Sequence, residues 1–296
     1  MMRPTLMKIL NIIGAGRAGR TLAALWFQQG VFAIQDILNR TPASASDAIA
    51  FIGAGRACAS VHDMQPADLW LIATPDGEIA HAGQTLAASG LLRAGDVVFQ
   101  LSGATPSQEL STMIGTDARV ASVHPLKSFA DPAQGVRLFA GAYCAAEGSV
   151  EALAVLRPAF EYIGARVTEI DAQFKTVYHA ASVMVCNYLT ALMEAGLQCY
   201  EKAGLPRVTA SAMMEPLVRE TVDNNFRLGT ATALTGPIAR GDHAVVARQL
   251  DVLRAFDPHI AEIYRVLGIT ALDLARTRGG VDAAALRAME KALGRP

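Results

Sequence analysis

A short apolar run, Ile9 to Ile13, leads directly into Gly14-Ala15-Gly16-Arg17-Ala18-Gly19, and the Ala- and Leu-rich stretch from Arg17 onward has helical spacing. Glycines at the first, third and sixth positions of a strand-to-helix turn each meet a separate steric need. Gly14 permits the tight turn, Gly16 lets the backbone approach a pyrophosphate, and Gly19 lets helix and strand pack closely. The helix N-terminus adds free N–H groups and partial positive charge, so Arg17 and Ala18 join the glycines as a phosphate cradle. A purely structural glycine turn is the alternative; the strand before and the helix after favour a dinucleotide. Gly53-Ala54-Gly55 lacks the third glycine and a clear preceding strand, and reads as a helix-ending turn.

The alternation that starts here continues. Candidate strands are Ile9 to Ile13, Phe32 to Leu38, Leu69 to Ala73, Val97 to Leu101, Val120 to Val123 and Gly141 to Cys144, separated by amphipathic stretches such as Arg17 to Gln29 and Glu78 to Ala88. Runs apolar on both faces suit strands of a parallel sheet covered by helices on each side. From Asp171 the pattern becomes helical: roughly 171–203, 206–227, 242–255, 257–277 and 281–293, with Gly and Pro at the breaks. The expected architecture is α/β: an N-terminal Rossmann-type doubly wound sheet over residues 1–168 that binds a dinucleotide, then an all-helical domain over 169–296. A first helix of about 30 residues would extend roughly 45 Å, enough to reach a partner subunit.

Charge excludes several partners. With 26 basic against 27 acidic residues and no dense basic run, the chain offers no footprint for nucleic acid or an anionic membrane surface. No stretch of about 18 uncharged apolar residues is expected to span a bilayer. The N-terminal Met1 to Gly14 segment has too short an apolar run, and no cleavage-like site, for a signal peptide. Cys58, Cys144, Cys186 and Cys199 show neither metal nor redox spacing, and no H-E-x-x-H or carboxylate cluster argues for a metal. A cytoplasmic location with reduced thiols is expected.

Cofactor choice turns on the end of the second strand, Gln35-Asp36-Ile37-Leu38-Asn39-Arg40-Thr41-Pro42. An NAD enzyme places a carboxylate at the strand end to hold the ribose, and Asp36 lies at about the right count. Thr41, however, looks like a helix N-cap with Pro42 at the first helical position, which makes Asn39 and Arg40 the strand-end residues and leaves Asp36 too early. Arg40 can pair with a 2′-phosphate while Asn39 and Thr41 donate hydrogen bonds, so NADP is favoured over NAD. Ala73-Thr74-Pro75, and Ser102-Gly103 after the next strand, are small residues that leave room for a cofactor crossing the strand ends.

Three further segments sharpen the picture: Val123-His124-Pro125-Leu126-Lys127-Ser128-Phe129, Lys175 to Asn187 (KTVYHAASVMVCN) and Leu234 to Asp242 (LTGPIARGD). With the glycine loop, they resemble the proteins that join a Rossmann domain to the DUF2520 domain, relatives of pyrroline-5-carboxylate reductase, ketopantoate reductase, prephenate dehydrogenase and the β-hydroxyacid dehydrogenases. The resemblance implies a helical domain like the C-terminal domain of 6-phosphogluconate dehydrogenase, a homodimer formed through it, and an NADP-dependent oxidoreductase acting on a small carbonyl, imine or hydroxy acid. A non-catalytic NADP-binding sensor or partner-binding protein is the competing reading.

Hydride transfer needs a proton donor and groups that hold the substrate. Lys175, His179, Ser182 and Cys186 fall on one helical face, with Asn187 about 80° from His179. In the related β-hydroxyacid dehydrogenases a Lys and an Asn on the matching helix serve as proton donor and substrate anchor; Lys175 is the match here, with His179 one turn on. Against this stand a solvated lysine and a hydrogen-bonded core histidine. The small apolar neighbours of His179 argue against an exposed helix face. His124, at a strand end before a proline, is a third candidate, and prephenate dehydrogenases carry a similar His-Pro. Ser128, Ser182 and Asn187 are candidate substrate contacts. So are Pro237 and Arg240, since a comparable loop completes the pocket in the reductase relatives.

Overall fold

The computed structural model describes residues 7–114 and 118–294; residues 1–6 of the N-terminal segment lie outside them. Unit one, residues 1–187, is built on one eight-stranded sheet. Its strands are β1 (Ile9–Ile13), β2 (Ala33–Leu38), β3 (Arg56–Cys58), β4 (Leu69–Ile72), β5 (Val97–Gln100), β6 (Arg119–Pro125), β7 (Tyr143–Gly148) and β8 (Arg166–Glu169). They lie in the order β3-β2-β1-β4-β5-β6-β7-β8. All pairings are parallel except β6 with β7. The first six strands reproduce the doubly wound order, which places a crevice at the carboxyl ends of β1 and β4, where the order reverses.

The sheet is apolar on both faces because alternate residues serve different cores. Leu10, Ile12, Leu69, Leu71, Val97 and Phe99 join one cluster, while Ile13, Trp70, Ile72 and Val98 join the other. The first cluster centres on Trp26 of α1 (Arg17–Gln28), whose ring meets Phe32, Phe99 and Phe160 edge-on. Its indole N–H donates to Ala159 O at 3.1 Å, so the large side chain buries no orphan donor.

The helices between strands are α2 (Pro42–Ile52), α3 (Asp76–Ala88), α4 (Ser107–Ile114), α5 (Pro132–Arg137) and α6 (Val150–Tyr162). Thr41 caps α2, accepting from Ser44 N, with Pro42 in the first turn, and Gly53 ends it at φ +86°. The edge strands β3 and β8 were not foreseen. Both are short and charged, and edge strands carry too little apolar periodicity to be read from a sequence.

Helix α7 (Lys175–Lys202) follows a 3-10 turn capped by Asp171. Its first thirteen residues belong to the unit that holds the sheet, and the compact units divide between Asn187 and Tyr188. The reason is the buried Lys175, which ties the start of the helix to the sheet. From Ala180 onward α7 is mostly exposed, contrary to the expectation drawn from its small apolar neighbours. Residues 172–202 form one helical stretch that meets the length and composition for crossing a membrane, with a mean hydropathy of 1.3 in its most apolar window. The expectation of no such stretch fails because 176–193 carries no Asp, Glu, Lys or Arg, its polarity coming from Ser, Thr, Tyr, His and Asn.

The second unit, residues 188–296, is helical among its described residues. After α7 come α8 (Arg207–Leu228), α9 (Thr230–Ala233), α10 (Gly236–Arg240), α11 (His243–Phe256), α12 (Pro258–Arg278) and α13 (Ala283–Ala292). Val246, Leu272, Met289 and Leu293 form its core. The short α9 and α10 occupy what the sequence suggested was a loop. Asp242 caps α11 as expected, accepting from Val245 N.

Candidate functional site

The glycine loop connects β1 to α1 and fulfils its three steric roles. A Cβ on Gly14, whose φ is +89°, would lie 2.8 Å from Thr74, and one on Gly19 would lie 3.0 Å from the Cβ of Ala73. Nothing lies within 4 Å of where a Cβ on Gly16 would project. Both outer glycines therefore press the loop against the segment after β4, while the middle one faces open space, as approach of a pyrophosphate requires. A cavity of about 810 Å³ opens there, lined by Gly14, Gly16, Asn39, Arg40, Thr41, Ala73, Thr74 and Pro75 among the expected residues. It is also lined by Arg20, Ser44, Glu78, His81 and Thr85, which carried no sequence signal because they project from the interiors of flanking helices.

Asp36 and Asn39 both serve the scaffold. Asp36 is fully buried and accepts from Arg56 Nε at 2.8 Å and Gln65 N at 2.6 Å. That ion pair joins β2 to β3, so Asp36 is no ribose contact. Asn39 had been expected to donate to a phosphate. Instead its Oδ1 accepts from Ala15 N at 2.6 Å and its Nδ2 donates to Ser44 O at 2.8 Å, locking the glycine loop to α2. Arg40 and Thr41 remain exposed at the rim. Thr74 Oγ1 is buried without a hydrogen-bond partner and lies beside the loop. An orphaned hydroxyl, an open backbone approach and an exposed guanidinium at the strand end together fit a phosphorylated dinucleotide.

Arg17 is exposed, while Ala18 and Gly19 lie behind the loop and do not line this cavity. Ser102 is turned to another use: its Oγ accepts from Ala104 N at 3.1 Å and Thr105 N at 2.9 Å. Gly103 has a different role from the one expected. A Cβ there would fall 2.3 Å from His179 Nδ1 and 2.8 Å from His124 Cε1. Only glycine admits both imidazoles at the end of β5.

Those imidazoles form a cluster with Tyr178. His124 Nδ1 and the Tyr178 hydroxyl are 3.0 Å apart, and the His124 and His179 rings meet edge-on with centroids 5.6 Å apart. His179 Nδ1 is buried with no partner. Burial first, then His179 and Lys175, push His124 down to about 4, with Asp76 opposing; His124 is neutral at pH 7. Burial raises the Tyr178 hydroxyl to about 12. Tyr178 was not singled out from sequence, since nothing local says that it reaches a strand residue 54 positions earlier.

Beneath the cluster lies the main departure from expectation. Lys175 is fully buried, its ammonium 2.9 Å from Glu147 Oε1 and donating also to Ser122 Oγ. Glu147 accepts in addition from Ser107 N at 2.8 Å and Ser107 Oγ at 2.6 Å, and stands opposite Ser122 in the β6–β7 register. Burial lowers the affinity of Lys175 for its proton, and Glu147 works against that. Lys175 is thus not the solvated lysine considered above, and its ammonium is engaged by Glu147 and Ser122. It fixes the first turn of α7 so that Tyr178 and His179 face His124.

The remaining candidates are dispersed. Ser128 is exposed after β6, Ser182 is half-buried one turn beyond His179, and Asn187 is exposed at the end of the first unit. Pro237 and Arg240 lie on α10 in the second unit, where Pro237 lines a separate apolar cavity of about 550 Å³. Among the described residues no group of His, Cys, Asp and Glu could hold a metal ion.

No curated protein matches the chain. Among solved structures it is similar to an assigned NADP oxidoreductase of Bacteroides fragilis, at 23% identity and a TM-score of 0.68, covering 92% of this chain and 97% of that one. It is similar also to protein TM1727 from Thermotoga maritima (23%, 0.72; 90% and 98%) and to an imine reductase from Pseudomonas sp. (18%, 0.64; 95% and 99%). At these identities the likeness establishes the fold. Residues 2–125 match the Rossmann-like domain family and residues 142–271 match DUF2520, a domain of unknown function. The two matches follow one another along the chain, the Rossmann-like one first.

Proposed function

We propose that the chain is an NADP-dependent oxidoreductase acting on a small molecule with a C=O or C=N bond. The observation that carries the reading is the cavity at the β1/β4 crevice, where the open side of Gly16, the unpartnered Thr74 hydroxyl and Arg40 stand at the places a pyrophosphate and a 2′-phosphate need. When bound, the nicotinamide supplies or accepts a hydride. The chain's own residues then do the rest. Gly14, Gly16 and the first turn of α1 hold the pyrophosphate, Arg40 and Thr41 hold the 2′-phosphate, and Thr74 and Pro75 line the crossing. His124 and His179, held by Gly103 and by the Lys175–Glu147 pair, contact the substrate, with Ser182 next along α7. The names of structural neighbours agree: one is a pyrroline carboxylate reductase with NADP bound, another a reductive aminase with NADPH.

We also propose that the chain is a homodimer. Met184, Val185 and Tyr188 on α7, and Met213, Leu217 and Phe226 on α8, are large apolar side chains left exposed in the single chain. Monomeric proteins rarely expose apolar surface on this scale, whereas a second copy would cover it.

The test is a fluorescence titration with NADPH and NADH of the wild type, Arg40→Ala and Gly16→Val. The wild type should prefer NADPH, Arg40→Ala should lose roughly 10-fold or more of that preference, and Gly16→Val should bind neither. Equal affinity for both cofactors with Arg40 irrelevant removes NADP, and no binding by the wild type removes the oxidoreductase. Tight binding without hydride exchange toward any carbonyl or imine supports a sensor instead.

A further inference from the structure

We propose that Arg20, the fourth residue of α1, grips the 2′-phosphate of NADP together with Arg40 and so sets the preference for NADP over NAD; this rests on the oxidoreductase reading above. Side chains on a helix lean toward its N-terminus, and Arg20 accordingly lies back over the glycine loop, where its Nε donates to Ala15 O at 3.2 Å. The N–H of that same Ala15 donates to Asn39 Oδ1 at 2.6 Å. One residue of the loop therefore joins the Arg20 guanidinium to the end of β2, where Arg40 follows Asn39. Arg20 is half-buried and lines the same cavity of about 810 Å³ as Arg40, Thr41 and Ser44. Among the described residues its terminal amino groups make no hydrogen bond and its charge has no ion-pair partner. A guanidinium pinned at Nε with its fork unused is already ordered for phosphate oxygens, whereas the exposed Arg40 must be ordered by the ligand.

Charge is divided across the cavity in a way that places the phosphate beside Arg20. Helices α1 and α2 pack on one face of the sheet and α3 on the other. The α1 and α2 side carries Arg20, Arg40 and the N-terminus of α2, whose cap Thr41 and first-turn Ser44 both line the cavity. The α3 side carries the Glu78 carboxylate with His81 and Thr85. A phosphate dianion is drawn to the first wall and repelled by Glu78 on the second. Arg17, one turn earlier on α1, is exposed and does not line the cavity, so it offers no substitute. NADP differs from NAD in the 2′-phosphate alone. A cation on that group changes the choice between the cofactors, whereas a cation on the pyrophosphate would strengthen both equally.

The experiment is a titration of the wild type, Arg20→Ala and Arg20→Lys with NADPH, NADH, 2′-AMP and 5′-AMP at one fixed ionic strength. Arg20→Ala should lose NADPH affinity by roughly 10- to 100-fold, the worth of a charge-assisted hydrogen bond, and keep its affinity for NADH. It should weaken 2′-AMP by a similar factor and leave 5′-AMP unchanged. Arg20→Lys, which retains the charge without the fork, should fall between the wild type and Arg20→Ala for NADPH. Unchanged NADH binding also reports that the glycine loop is intact in each variant. Loss of NADPH and NADH by the same factor in both variants overturns the proposal, because Arg20 then serves the pyrophosphate or the loop itself. Unchanged NADPH affinity overturns it as well. The wild type separates the two readings: if it shows no preference for NADPH, the NADP reading falls and takes Arg20 with it, and if it prefers NADPH while Arg20 is irrelevant, only the role of Arg20 falls.

Discussion

His124 gives the site a dependence on pH that can be measured without any substrate. Its ring is held near pKa 4 by burial and by the neighbouring His179 and Lys175, against about 6.5 in the unfolded chain. Above pH 6.5 the ring is neutral in both states and imposes no penalty. As pH falls from 6.5 toward 4 the unfolded chain takes up a proton that the folded chain refuses, so stability is lost across that window and levels off below it. At 1.36 kcal/mol per pH unit, moving from pH 7 to pH 5 removes about 2 kcal/mol; part of the ring is exposed, and solvent screening reduces this to between about 1 and 2 kcal/mol. Urea unfolding of the wild type and His124→Gln at the two pH values isolates the effect from the other histidines. The wild type should lose that much more stability than the variant between pH 7 and 5. Equal losses in the two proteins would refute the claim that the fold holds His124 neutral.

Lys175→Met removes one partner of a buried ion pair and strands Glu147 against Ser107 alone, so chemical denaturation should show a loss of about 3–5 kcal/mol. The double variant Lys175→Met with Glu147→Leu should recover much of it; no recovery would mean that the pair is not what holds α7 to the sheet. If α7 and α8 form the contact between two copies, sedimentation of the wild type should give a dimer, and Val185→Glu should give a folded monomer. A monomeric wild type ends that proposal.

The glycine turn and the helix cap beside it were legible because they are local. Gly14, Gly16, Gly19, Thr41 and Pro42 owe their roles to backbone geometry within a few residues of themselves, and steric rules of that range can be read along a chain. Sequence spacing also placed His124 at a strand end and His179 on the helix that follows the sheet. What it could not supply was the identity of their partners. Asp36 meets Arg56 on an edge strand that no pattern announced, Asn39 closes onto the glycine loop, and Glu147 reaches Lys175 from an antiparallel strand. Each of those pairings depends on which strands lie side by side, and strand order is set by the packing of two cores on opposite faces of the sheet. The sequence determined the turns, caps and periodicities that make a doubly wound sheet with a helical tail. Tertiary structure alone decided that Lys175 is buried as an ion, because a charge enters a protein interior only where the completed fold supplies its counter-charge.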